Sequence, residues 1–62
     1  MRSEFKEGYS FQAEYEDESF EMLISETAEK AINEAMTMES EHGGLMNIIL
    51  IDEEYNEIET IF

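Results

Sequence analysis

Cysteine, proline and tryptophan are all absent from this sequence of 62 residues. The lack of cysteine excludes disulfide bonds and thiolate metal sites. Basic residues are scarce too, because three lysines and arginines accompany 17 aspartates and glutamates, for a formal net charge of −14. Lysine and arginine are needed to displace counterions from a phosphate backbone. We therefore expect no direct binding to DNA, RNA or an anionic membrane surface.

Long apolar segments are missing as well. The longest uncharged apolar run, residues 43–51, is far shorter than the roughly 20 residues needed to cross a bilayer. No apolar segment follows Arg2, so we expect no signal peptide. These features favour a cytoplasmic protein in which residues 1–62 form a single small domain.

Alternating polarity predicts two strands in the first half of the chain. Apolar residues recur at every second position over residues 9–15 and again over residues 19–24, which is the period of a β-strand. The acidic break at residues 16–18 predicts a hairpin turn between them. Residues 1–8 mix charge with a single aromatic, Phe5, and end at Gly8, so we expect a flexible arm there.

A one-sided apolar pattern predicts a helix over residues 26–41. When successive residues are placed about 100° apart, one arc contains Ala28, Ala31, Ile32, Ala35, Met36 and Met38. Ser25 or Thr27 can cap the start of this helix. The glycine pair at 43–44 can end it in the left-handed conformation.

The last third of the chain predicts two further strands. Residues 45–51 are β-branched and apolar on both faces, which is typical of a central strand. Residues 57–62 alternate, with Ile58 and Phe62 expected to face the core. The order β-β-α-β-β predicts an α+β fold in which one helix covers one face of a four-stranded antiparallel sheet. With strand one between strands two and three, the strand order is 2-1-3-4.

The sheet face opposite the helix is predicted to be open and partly apolar. Asn47 belongs there, because a core avoids an unpaired amide, so Met46, Ile48 and Leu50 are expected to face the helix. The open face would then carry Leu23, Leu45, Ile49, Ile51 and Ile61, surrounded by Glu14, Glu21, Glu57 and Glu59. An apolar patch with an acidic rim is typical of a protein interface. A register shifted by one residue would instead place Ile49 and Ile51 in the core.

Catalytic and metal-binding patterns are weak. The single histidine, His42, follows the helix and is interpreted as a cation at the negative end of the helix dipole. Asp52, Glu54 and Asn56 resemble the first ligands of a calcium loop, but Glu57 stands where such a loop needs glycine. Most acids fall at polar positions of the pattern, which is typical of a solvated surface. We therefore expect no catalytic residue, no metal site and no cofactor.

The net charge of −14 exceeds the magnitude of about 2–8 that keeps a small domain soluble. Such a field steers basic partners, and nucleic-acid-binding grooves are the natural basic surfaces of a cell. The sequence therefore predicts a non-enzymatic inhibitor that binds the basic groove of a nucleic-acid-handling protein. The expected partner-binding residues are Glu14, Glu16, Asp17, Glu18, Glu21, Leu23, Ile49, Ile51, Asp52, Glu53, Glu54, Glu57 and Glu59. The alternative is a structural or accessory module that forms a homodimer through its open sheet face.

The crowding of acids also predicts their ionisation. Neighbouring carboxylates repel one another, and this repulsion raises their pKa values. The folded state would then bind more protons than the unfolded state, and stability would rise as the pH falls from 7 toward about 5.

A resemblance is carried by the acidic segments 14–18 and 52–54 and by the helix-capping segment 25–29. Together with small size and an α+β pattern, they make the chain similar to the small phage-encoded inhibitors of host defence, the DNA-mimic anti-restriction and anti-CRISPR proteins. Those proteins share no single fold, so the resemblance implies a function and no particular site residue. It implies action in the host-cell cytoplasm on a basic protein.

Overall fold

The strands and helices follow the hydrophobic pattern of the sequence. A computed structural model describes residues 5–62. Its elements are β1 (Ser10–Tyr15), β2 (Phe20–Met22), α1 (Ala28–Thr37), α2 (Glu39–His42), β3 (Leu45–Ile51) and β4 (Glu57–Thr60). The four strands lie in the order β2-β1-β3-β4, and every neighbouring pair is antiparallel. The predicted α+β fold and its strand order are confirmed.

The two central strands, β1 and β3, present one apolar surface to the helices. Phe11 and Ala13 of β1 are buried and lie directly opposite Leu50 and Ile48 of β3. Side chains opposite each other in an antiparallel pair share a face. The prediction that Ile48 and Leu50 face the helix is therefore confirmed.

α1 packs on this surface through small side chains. The hydroxyl of Thr27, one of the two predicted caps, accepts a hydrogen bond from the backbone N–H of Lys30 at 3.2 Å. Ala31 and Ala35 are fully buried, so the helix backbone approaches the sheet closely. The hydroxyl of Tyr15 donates to the backbone carbonyl of Ala35 at 2.7 Å, which satisfies the one polar atom that this aromatic side chain brings into the core.

The predicted helix over residues 26–41 is divided into two. α1 ends at Thr37, Met38 lies at its C-cap, and α2 adds one turn that ends at His42. Gly43 follows with a φ of 87°, in the left-handed region that favours glycine. The imidazole of His42 then lies beside the phenol of Tyr15, with the two ring centroids 4.9 Å apart.

The face of β2 that points toward the helices is the opposite of the one predicted. Glu21 lies opposite Ala13 and therefore on the helix side, whereas Phe20 and Met22 lie on the open face. Leu23, predicted on the open face, is 4% exposed and belongs to the core. The turn between β1 and β2 determines which side chains of β2 face the helices, because its backbone hydrogen bonds fix which residues of the two strands lie opposite each other.

Two β-bulges shift the remaining faces. Met46 is the extra residue of β3, so Leu45 lies opposite Tyr15 and packs on the core, and the prediction that it faces outward is wrong. Ile58 is the extra residue of β4, after which Ile61 packs on the core, against prediction. A bulge adds one residue to one strand of a pair and so changes the alternation beyond it. Three residues predicted to face inward are exposed, namely Met46, Ile58 and Phe62.

The described part of the predicted arm, residues 5–8, approaches the sheet. The ring of Phe5 stacks on that of Phe11 with centroids 5.5 Å apart. Phe5 also meets Tyr9 edge-on, with centroids 6.4 Å apart. Phe5 is therefore fastened to the core, while residues 1–4 lie outside the described residues and the prediction of flexibility there stays a prediction.

Candidate functional site

The two acidic turns of the chain lie at opposite ends of the sheet. Ser10 at the start of β1 is opposite Ile51 at the end of β3, and the other ends of these strands also meet. The turn after β1 and the turn after β3 are therefore separated by the length of the sheet, in a body whose long axis is 29 Å. We call these turns the hairpin-end cluster (Glu16, Asp17 and Glu18) and the far-end cluster (Asp52, Glu53 and Glu54).

His42 joins the hairpin-end cluster to the helices. Its Nδ1 atom is 3.0 Å from the hydroxyl of Ser19 and 3.4 Å from Oδ2 of Asp17, and its Nε2 atom is 3.1 Å from Oε2 of Glu21. Asp17 also accepts hydrogen bonds from the hydroxyl of Ser19 and from its backbone N–H. These contacts fasten the β1–β2 turn to the end of α2. His42 thus pairs with carboxylates, in addition to its predicted place at a helix terminus.

The same bonds set the ionisation of the neighbouring groups. The pKa of Asp17 is lowered, mainly by the hydrogen bond from the hydroxyl of Ser19. Burial opposes this change. The backbone N–H of Ser19 and the ring of His42 lower the pKa further. The pKa of Tyr15 is raised, first by burial and then by the negative charges around it, including Glu21.

Ser19, His42 and Glu21 have the residue types of a catalytic triad, a grouping that the sequence pattern did not reveal. A serine nucleophile needs a histidine that accepts its proton. Here the hydroxyl of Ser19 donates its single proton to Asp17, so Nδ1 of His42 must donate to that oxygen. Within residues 5–62, no group of three or more histidine, aspartate and glutamate side chains could hold a metal ion. The arrangement is suited to holding a turn.

The far-end cluster is built on a turn that Asp52 organises. Its carboxylate accepts the backbone N–H groups of Glu54 and Asn56, each at 2.9 Å, and the side-chain amide of Asn56 at 3.2 Å. The backbone N–H of Asn56 does most to lower the pKa of Asp52, against the opposing effect of burial. Tyr55 adopts the left-handed conformation with a φ of 65°. Asp52 therefore shapes the turn, while Glu53 and Glu54 are exposed.

The open face holds only part of the predicted interface. Glu14, Ile49 and Glu57 have the register positions of that face. The amide of Asn47 donates to the carboxylate of Glu14 at 2.8 Å, so the amide that was predicted to avoid the core has a partner on the open face. Ile51 shares this register but is only 3% exposed, and the prediction that it forms an accessible surface is wrong.

Two predicted acids lie on the other side of the sheet. Glu21 is opposite Ala13, and Glu59 is opposite Leu50, so both occupy helix-side positions. The acidic rim predicted around the open face is therefore incomplete. The two acidic clusters lie instead at the two ends of the sheet.

Exposed apolar side chains are concentrated along the edge strand β2 and the segment that follows it. Phe20 is 54% exposed, Met22 is 45% exposed and Ile24 is 88% exposed. These residues alternate in the sequence with Glu21 and Leu23, which the pattern assigned to the open face. The pattern misled because Glu21, between two of them, finds a partner in His42 on the helix side, and this partner is distant in sequence.

Within residues 5–62, the outer edge of β2 has no neighbouring strand. Backbone hydrogen bonds join β2 and its flanks to β1 at Ser19 and at Leu23. Hydrogen-bonded and non-hydrogen-bonded positions alternate along an antiparallel pair. Phe20 and Met22 therefore direct their N–H and C=O groups away from β1, toward solvent.

Glu34 closes the edge just beyond β2. Its carboxylate accepts the N–H groups of Ile24 and Ser25 at 3.1 Å and 3.0 Å, and the hydroxyl of Ser25 at 2.7 Å. Burial alone would raise the pKa of Glu34, but these three donors outweigh it and lower the pKa. The unpaired part of the edge is thus limited to Phe20 and Met22.

No family model, curated protein or solved structure matches the chain. Within residues 5–62, neither helix reaches the length and apolarity that crossing a bilayer requires. The function must therefore be argued from the geometry and charge of the chain itself.

Proposed function

We propose that this chain is a non-enzymatic inhibitor that acts in the cytoplasm by binding the basic groove of a nucleic-acid-handling protein. The observation that supports this proposal is the placement of acidic clusters at opposite ends of the sheet, in a body whose longest dimension is 29 Å. A groove that follows a nucleic-acid backbone offers rows of basic side chains over a comparable length. The resemblance to DNA-mimic inhibitors favours a host-defence protein as the partner.

The charge density supports the same proposal. Duplex DNA carries one negative charge per about 1.7 Å of its axis, so 29 Å of duplex carries about 17 charges. The chain carries 17 aspartates and glutamates. Three lysines and arginines offset part of this charge, so the net charge of −14 is somewhat below that of a duplex segment of the same length. The protein can still compete with such a segment for the same cations.

The exposed acids have two roles in this proposal. Glu18, Glu53, Glu54 and Glu57 are exposed, and they are proposed to meet the partner directly. Asp17 and Asp52 accept hydrogen bonds within their own turns, so they are proposed to position those neighbours. A contact that loses its water on binding contributes more than one at the rim.

The proposal is tested with immobilised protein incubated in a bacterial cell extract at low salt. Captured proteins are eluted either with duplex DNA or with polyglutamate of equal charge concentration. We expect duplex DNA to elute the partner at the lower concentration, because the partner's groove is built for phosphates. The affinity of the purified partner should also fall steeply with salt, as it does when cations contact many anions.

Charge reversal locates the contact. Glu53→Lys combined with Glu54→Lys should weaken binding of the partner at least about tenfold, the effect of one lost desolvated charge-assisted hydrogen bond. Glu26→Lys combined with Glu29→Lys changes the net charge equally on the exposed side of the helix and serves as the control. Equal losses in the two variants would mean that only net charge matters, and would contradict a shaped interface.

The open face supports a second candidate function, dimerisation. Phe20 and Met22 are exposed on this face, which also carries the half-buried Ile49 on the far side of β1, and exposed apolar side chains on one face can form an interface. Two bodies of charge −14 repel, so a dimer should strengthen as salt screens the charge. Sedimentation at low and high salt distinguishes this candidate, because binding to a basic partner weakens under the same change.

A further inference from the structure

We infer that the unpaired edge of β2 is a docking site for an extended segment of the partner, which adds to the sheet as a fifth strand. The segment would carry apolar side chains at alternate positions and lysine or arginine at its ends. This inference rests on the proposed function, because it names the part of the same basic partner that is bound.

The backbone of the edge provides the first argument. The N–H and C=O groups of Phe20 and Met22 point outward, and the Glu34 carboxylate caps the N–H groups beyond them. Proteins usually protect edge strands with charges, bulges or covering elements. Here that protection begins only after Met22, which leaves a short open edge suited to strand addition.

The side chains of the edge provide the second argument. Phe20 and Met22 are 54% and 45% exposed on the open face, although each has a neighbour on β1 opposite it. An added strand would place its own alternate side chains beside them on that face, at the spacing of cross-strand pairs. Apolar residues at those positions of the partner would cover both side chains.

Charge decides which segment can occupy the edge. The hairpin-end cluster precedes β2, and the carboxylate of Glu34 lies just beyond its other end, so both ends of an added strand meet acids. A basic segment gains attraction at both ends, whereas a second copy of this chain brings another body of charge −14. The partner of the edge is therefore assigned as a basic segment and not as a second copy.

The test uses a synthetic peptide in which valine and lysine alternate, with two further lysines at each end. Nuclear magnetic resonance and amide hydrogen exchange are measured on the full chain with and without the peptide. We expect slowed exchange at the amides of Phe20 and Met22, because a paired strand protects them from water. A peptide of the same composition with proline at its centre should give no protection, since proline cannot continue the ladder.

A backbone variant separates strand addition from side-chain contact. Met22→Pro removes an N–H that points away from β1, so the ladder within the sheet keeps its bonds. We expect the peptide to bind this variant about fivefold or more weakly, the effect of one lost hydrogen bond. Met22→Thr keeps the N–H and is the matched control, in which amide protection persists. Circular dichroism checks that both variants are folded. If Met22→Pro is unfolded, strand addition is judged from amide protection in the natural chain alone.

Each outcome has a distinct meaning. Peptide binding without protection at Phe20 and Met22, or with equal loss in both Met22 variants, would overturn strand addition. Capture of a partner that duplex DNA elutes, combined with no peptide binding at β2, would overturn the docking site and leave the proposed function standing. Protection of these amides by rising protein concentration alone would overturn the assignment by showing a second copy at the edge. Peptide protection in the absence of any DNA-eluted partner would support the docking site and contradict the proposed function.

Discussion

The position of Glu21 depends on one histidine. The Glu21 side chain lies on the helix side of the sheet and is still 39% exposed, so it loses part of its water and is stabilised by a nearby donor. His42 supplies the partner at 3.1 Å, while its other ring nitrogen contacts Ser19 and Asp17 of the turn. The His42 side chain therefore stabilises Glu21 on the helix side of β2 and also fastens the turn that precedes this strand.

His42→Ala should destabilise the fold by about 1–2 kcal/mol, because Glu21 loses its partner and two acids remain close together. For a domain of this size that change lowers the melting temperature by roughly 4–8 °C per kcal/mol. Thermal unfolding followed by circular dichroism measures it. Ser40→Ala, at an exposed position two residues earlier in α2, is the control. Equal melting temperatures for the two variants would show that the His42 contacts add nothing to stability.

At the level of secondary-structure elements, the sequence correctly predicted the features that depend on the hydrophobic pattern. β1 follows from strong alternation, β3 from a short β-branched apolar run and the strand order from the place of the helix, and the structure has all three. The faces of β2 and β4 could not be predicted, because they depend on a turn and on the bulge at Ile58. Part of the predicted interface failed for this reason, since Leu23 and Ile61 lie inward. The unpaired edge of β2 is likewise a property of the register, which a single sequence does not reveal.

Ile49 and Ile51 of β3 should respond differently to a charge. Ile51 is 3% exposed, whereas Ile49 is half-buried on the open face. Ile51→Lys should destabilise the fold by about 3 kcal/mol or more, because it buries a charge without a partner. Ile49→Lys should cost about 1 kcal/mol, since its ammonium can extend to water along the open face. Urea unfolding measures both, and a larger loss at Ile49 would mean that the assignment of the two sides of β3 is wrong.

Two electrostatic effects compete over the whole molecule. A net charge of −14 makes the compact state repel itself, and this repulsion predicted raised carboxyl pKa values. The structure corrects that prediction for Asp17, Glu34 and Asp52, whose pKa values are all lowered by the hydrogen bonds that they accept. Local donors therefore outweigh the general field at these three carboxylates, which hold the hairpin turn, the end of β2 and the far-end turn.

The pH dependence of stability should follow these three groups. A carboxyl whose pKa is lower in the folded state binds fewer protons there than in the unfolded chain, so its contribution is present above the unfolded pKa and is lost on acidification. The ordinary values are 3.8 for Asp17 and Asp52 and 4.5 for Glu34. The melting temperature should thus change little between pH 7 and about 5 and should fall as the pH drops below about 4.5. Moderate NaCl at pH 7 should raise the melting temperature, because screening weakens the repulsion among the exposed acids.

Glu34→Gln should reduce the loss of stability on acidification, with Glu29→Gln, at an exposed position of α1, as the matched control. A melting temperature that rises steadily from pH 7 to pH 4 would show that repulsion among the acids dominates and that the hydrogen bonds of the three carboxylates contribute little to stability.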